Sequence, residues 1–155
     1  MTRPRTRSRR RALIALGSCL LSCSGPPPHE LGAGDRRLAP CPASPNCVSS
    51  DASDDRHAIR PLEIAGPAAR AWEAARAVVA DRPRTTIVSE SPGYLHAECR
   101  SLLFRFVDDL ELELRESQGI IAVRSASRTG YGDMGVNRRR VEAVRAEMAR
   151  RGATR

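Results

Sequence analysis

The residues best equipped to do chemistry lie in one stretch, Arg124-Ser-Ala-Ser-Arg-Thr-Gly-Tyr-Gly-Asp-Met-Gly-Val-Asn-Arg-Arg-Arg-Val-Glu142. Arg124, Ser125, Ser127, Arg128, Tyr131, Asp133, Asn137 and Arg138 supply donors, acceptors and fixed charges there, and Asp108 and Asp109 join them from an upstream run. A carboxylate among these groups, its pKa raised by burial, could act as a general base. In that account Asp108, Asp133 and Arg138 form the rim of a pocket. In the structural account Asp108 accepts hydrogen bonds from Ser127 and nearby backbone N–H groups. The structural account is preferred, because buried polar groups normally have internal partners. The run Arg138-Arg139-Arg140 suggests an anion site. Successive helical positions point about 100° apart, so at most two of the three can converge. Salt bridges to Asp133 or Glu142 are their expected use.

Other chemistries find no support. His57 and His96 are the histidines beyond residue 40; His57 falls in a loop and His96 on a strand face expected to be exposed. No nucleophile–histidine pattern, phosphate-binding loop, dinucleotide fingerprint or HExxH sequence is present. Asp51, Asp54, Asp55 and His57 lack the alternation and glycine of a calcium loop and read as a solvated segment. The cysteines lack zinc-site spacing. No metal or cofactor is implied.

The elements that must position these residues are legible from period. Residues 59–64 form a short extended run. Pro67 suits the first position of a helix over 68–81, with Trp72, Ala75 and Val79 as its apolar stripe and Ala71 and Val78 beside them. Four strand-like runs follow. Residues 85–90 are β-branched, and Pro92-Gly93 predicts a type II turn. Residues 94–100 alternate, with Leu95, Ala97 and Cys99 inward. Residues 104–115 form the longest strand, placing Phe104, Phe106, Asp108, Leu110, Leu112 and Leu114 on one face. Residues 120–128 complete an antiparallel meander. Pairing Leu114 with Ile121 sets Asp108 opposite Ser127, Leu110 opposite Ser125 and Glu111 opposite Arg124. Asp109 then lies diagonal to Arg124 and Arg128, on a face expected to carry an exposed charge ladder. A final helix, from about 135–137 to 151, has Val141, Val144 and Met148 as its stripe, Asp133 or Asn137 as a cap, and Gly152 as its stop. The expected fold is α+β: an antiparallel sheet of about four strands with two helices on one face, a two-layer sandwich.

The N-terminus reads as an export leader. Residues 1–22 hold six arginines and no acid; the basic run from Arg3 to Arg11 is followed by a short apolar run from Ala12 that ends in Leu20-Leu21-Ser22-Cys23. That ending resembles a bacterial lipobox, in which the cysteine becomes the first mature residue and its sulfur is lipidated. Cys23 is therefore the expected anchor to a bacterial membrane, the outer one where it exists, with the domain in the periplasm. Ser8-Arg9-Arg10 leaves the secretory or twin-arginine route open. Residues 23–40 read as a Pro/Gly-rich tether, and 41–152 as a single domain. With the leader removed, only +2 of the +8 net charge remains, and there are five aromatic residues in all. Nucleic acid is thus not an expected partner. Cys41 and Cys47 enclose a turn-rich loop that could bring them within bridging distance in an oxidising compartment, leaving Cys99 as a buried apolar thiol.

Three blocks carry a wider resemblance: Cys41-Pro-x-Ser-Pro-Asn-Cys-Val-Ser-Ser50, Phe106-Val-Asp-Asp109, and the stretch from Arg124 to Glu142. Together they resemble the domain of unknown function 1499 family over about residues 41–150. That family brings no established reaction, so no catalytic role transfers. It does imply that the three blocks meet in space. The functional expectation is a lipid-anchored binding or scaffolding module of the cell envelope. It would use the Asp/Arg/Ser cluster to hold an envelope protein or small ligand. An uncharacterised enzyme with an aspartate general acid/base and a purely structural lipoprotein are the alternatives.

Overall fold

A computed structural model describes residues 38–155. The leader, Cys23 and the tether up to residue 37 lie outside the described residues. Strands β1 (Cys47–Ser49) and β2 (Leu62–Glu63) precede helix α1 (Ala68–Ala80). Strands β3 (Thr85–Ser91), β4 (Tyr94–Arg100), β5 (Val107–Arg115) and β6 (Ile120–Ser127) follow, and helix α2 (Val136–Arg150) closes the order. The fold is α+β. Its sheet runs β1-β6-β5-β4-β3, with β2 also pairing β6, so the described residues form six strands where the hydrophobic period suggests four. The two additional strands are three and two residues long, too short to show a period.

The meander and its register follow the sequence pattern. Asp108 pairs with Ser127, Leu110 with Ser125, Glu111 with Arg124 and Leu114 with Ile121. Gly93, at φ +75°, makes the turn between β3 and β4. Leu95, Ala97, Cys99, Leu110, Leu112, Ile121 and Val123 share one core cluster with Ala71, Ala75, Val78 and Val79 of α1 and Val141, Val144 and Met148 of α2. Trp72 packs against that cluster while remaining partly exposed.

Two expectations about β5 fail. The strand starts at Val107, and residues 101–106 form a loop in which Phe104 and Phe106 are 69% and 41% exposed. Ser101 N–H donates to the Phe106 carbonyl, Phe106 N–H donates to Ser101 Oγ, and Arg105 takes a left-handed backbone at φ +53°. Those bonds close the loop on itself, so the alternation in Phe104-Arg105-Phe106 is not a strand's. The charge ladder is also not exposed: His96, Asp109, Glu111, Glu113 and Arg124 are all buried. Alternation assigns the two faces of a strand but cannot say that both are covered. At the N-terminal boundary Leu38, assigned by composition to the tether, is buried against Tyr94 and Ala122, and its N–H reaches Asp51.

Candidate functional site

The residues selected from the sequence divide into two clusters, one on each side of the sheet. On the helix side Asn137 is the hub, fully buried at the start of α2. Its side-chain carbonyl accepts from Ser125 Oγ at 2.7 Å and from Arg140, and its amide donates to Ser127 Oγ at 3.0 Å and to the Asn46 carbonyl at 2.9 Å. Asn46 in turn donates to the Gly130 carbonyl at 2.7 Å. Arg140 also donates to Ser125 Oγ and forms a 2.5 Å ion pair with Asp108. The partner of Asp108 is thus Arg140, 32 residues further along the chain in α2, not Ser127 or a backbone amide. A charged donor suits a carboxylate buried at a strand end better than a hydroxyl does.

On the opposite side Asp109 accepts from His96 at 2.7 Å and from Arg128, which also reaches Glu98. Burial alone would raise the Asp109 carboxyl, but hydrogen bonds from His96 and Arg128 outweigh it and hold the pKa below the ordinary aspartate value. The same carboxylate holds Arg128 well above its ordinary value, against its own burial. Glu111 joins Arg124 at 2.9 Å and accepts from the Tyr94 hydroxyl at 2.7 Å. Burial, reinforced by that carboxylate, drives the Tyr94 phenol far up. Arg124 Nε is buried without a partner.

The remaining selected residues have other duties. Asp133 accepts from the N–H groups of Gly135 and Asn137, fixing the start of α2 after two left-handed residues, Met134 and Gly135. Arg138 donates to the carbonyls of Arg56 and Ala58, and Arg139 to that of Met134. Neither they nor Arg140 bridge to Asp133 or Glu142; Glu142 pairs with Arg145. Asp108, Asp133 and Arg138 are thus each held by different partners. Tyr131 stands 75% exposed. His57, read as solvated, is buried between Asp54 and the Ser44 carbonyl, and its hydrogen bond lowers the Asp54 pKa. His96, read as exposed, is the buried partner of Asp109. Cys41 and Cys47 are joined, with Cα atoms 5.7 Å apart, and Cys99 is free and buried. Among the described residues no group of three or more His, Cys, Asp or Glu side chains could hold a metal ion.

Sequence reasoning missed Asn46, His96, Glu98 and Arg140 as cluster members. Asn46 and Arg140 sit inside the blocks that carry the resemblance, so a signal for them existed. His96 and Glu98 gave none beyond their place on the charged face.

Beside the Asp108–Arg140 pair a groove of about 250 Å³ opens, lined by Arg82, Pro83, Arg84, Thr85, Cys99, Arg100, Val136, Arg139 and Arg140. Arg140 is fixed by Asp108 and Arg100 by Glu98. Among the described residues Arg82, Arg84 and Arg139 have no carboxylate within ion-pair distance; Arg84 donates to the Arg100 carbonyl. Burial pushes the Cys99 thiol up despite the nearby arginines, which keeps it protonated and a poor nucleophile. A larger hollow of about 840 Å³ lies at the other end of the sheet, between the turns at Pro92-Gly93 and Glu116–Gln118. Of its charged members, Arg115 is already committed to Asp51 and Glu113.

No curated protein matches the chain. A family model described as "Protein of unknown function (DUF1499)" matches residues 37–148. The match starts just before buried Leu38 and spans all three sequence blocks, which Asn46, Asp108, Ser125, Ser127, Asn137 and Arg140 draw into one network. The chain belongs to the DUF1499 family of proteins of unknown function.

Proposed function

We propose that this chain is a non-catalytic binding module of the bacterial cell envelope, anchored through a lipid on Cys23, which holds an anionic ligand in its arginine groove. The observation that carries the reading is the charge state of that groove. Three arginines without carboxylate partners, Arg82, Arg84 and Arg139, line it beside two that are already fixed. Guanidinium groups bind carboxylates and phosphates through paired N–H donors, and pre-positioned ones lose less freedom on binding. The Asp108–Asn137 network supports this reading as a rigid backing, since each member has an internal partner and Arg140 alone connects it to the groove. The same saturation argues against a general base: Asp108 is held by Arg140, and Asp133 is used at the start of α2.

Titration with inorganic phosphate, followed by calorimetry or amide chemical shifts, tests the groove. Saturable shifts at Thr85, Arg100 and Val136 are expected, and Arg82→Gln with Arg139→Gln should weaken binding about tenfold or more, the loss of at least ~1.4 kcal/mol. Unchanged binding in that double variant would remove the groove from consideration. Fractionation of cells producing Cys23→Ala tests the anchor, and continued attachment of that variant to membranes would eliminate it.

A further inference from the structure

The end of the sheet that holds the arginine groove also carries an unusual amount of uncovered apolar surface. Residues Leu102, Leu103 and Phe104 are 72%, 80% and 69% exposed, and Phe106 lies in the same loop. The loop from β6 to α2 leaves the same end, because Arg128 N–H donates to the Val107 carbonyl, and it presents Tyr131 and Met134. Val136, at the start of α2, is 37% exposed and lines the groove. Single exposed apolar residues are ordinary, but a contiguous Leu-Leu-Phe-Arg-Phe run beside a second apolar loop marks an interaction surface.

Its charge complementarity identifies the partner. Arg82, Arg84, Arg100, Arg139 and Arg140 line the groove at this end of the sheet, Arg105 stands within the 101–106 loop, and the neighbouring acids are occupied. Asp108 pairs with Arg140, Glu98 with Arg100 and Arg128, Asp81 with Arg151, and Asp133 is bonded to backbone N–H groups. The apolar side chains stand in the loops, whereas Arg84 and Arg100 flank the strand ends behind them. Apolar groups ahead of a cationic collar match the order of an anionic bilayer met from water: phosphate headgroups first for the collar, acyl boundary beyond for the tip.

We propose that this end docks on a bilayer bearing anionic phospholipids. Leu102, Leu103, Phe104 and Phe106 enter the interfacial layer, while the groove arginines bind headgroup phosphates. The proposal rests on the reading of the groove as an anion site and names its ligand class. The length of chain before the described residues permits the geometry. From Cys23 to residue 37 an extended chain reaches at most about 50 Å, against about 30 Å for the nine residues of β5. A chain anchored at Cys23 can therefore still turn this end to the same membrane.

The test uses the full chain carrying Phe104→Trp, with the unmodified chain as the reference for Trp72. Vesicles of phosphatidylcholine, with or without phosphatidylglycerol, contain brominated acyl chains that quench only a tryptophan at the bilayer interface. Quenching of the introduced tryptophan in phosphatidylglycerol vesicles is expected, weakened about fivefold for each of Arg82→Gln and Arg139→Gln. In a parallel binding measurement Leu103→Ser with Phe104→Ser should lower the anionic-lipid-dependent share of binding about tenfold, while phosphate binding in solution stays unchanged. Absence of quenching with phosphate binding intact would overturn the docking proposal and leave the groove reading standing. Quenching without phosphate binding would overturn the groove's part in it. Self-association abolished by Phe104→Ser, with no quenching, would assign the surface to a second copy of the chain and overturn the proposal.

Discussion

Asp108 is held by Arg140 with both side chains about nine-tenths buried, so neither can be removed without leaving the other charge poorly solvated. Asp108→Ala and Arg140→Ala should each lower the unfolding free energy by about 3 kcal/mol. The double variant should cost clearly less than the two single losses together, because each single change leaves an unpaired charge that the double change removes. Urea unfolding of the four proteins measures this coupling, and additive losses would show that the pair is not a unit. Asp109 makes a different prediction. Its pKa in the folded protein lies below its unfolded value, so its contribution is complete above that unfolded value of about 4 and is lost as pH falls through the folded one. Asp109→Asn should therefore be less stable than the parent at pH 7, and the gap should narrow on acidification below about 4. A constant gap across that range would contradict the assignment.

At the scale of elements, α2 begins where it does because Asp133 bonds two backbone N–H groups after a left-handed Met134-Gly135 pair. Asp133→Ala should cost about 1 kcal/mol, the usual worth of an acidic group at a helix start. Hydrogen exchange should show the loss first at the N-terminal turn of α2, around the hub Asn137. Protection unchanged at Val136 and Asn137 would assign the helix start to packing alone. The meander was readable because its strands are β-branched or alternate and the turns carry Pro92-Gly93 and Gly119. Strands β1 and β2 were not, since two or three residues gain strand geometry only by pairing with β6. The loop 101–106 continues the alternation of β5 but is closed by its own hydrogen bonds. Local pattern cannot distinguish those cases.

For the molecule as a whole, the bridge from Cys41 to Cys47 closes the segment that carries Asn46 into the network. Cys41→Ser with Cys47→Ser should cost about 2 kcal/mol, the entropy of a loop this short. The thermal midpoint should fall, and the Asn46–Asn137 contact should exchange faster. A midpoint equal to the parent's would mean that strand pairing alone holds the segment. The amino-acid sequence by itself determined the α+β class, the β5–β6 register, the inward position of Asp108 and the cores of both helices. Those features depend on periods of two and 3.6 residues, which any strand or helix imposes on its own side chains. Only the tertiary structure decided that Asp108 pairs with Arg140, that His96 and Glu111 are buried, and that arginines from α2 and from the ends of β3 and β4 surround one groove. Those outcomes depend on which distant segments meet and on how each buried charge finds a partner, and no local period encodes either.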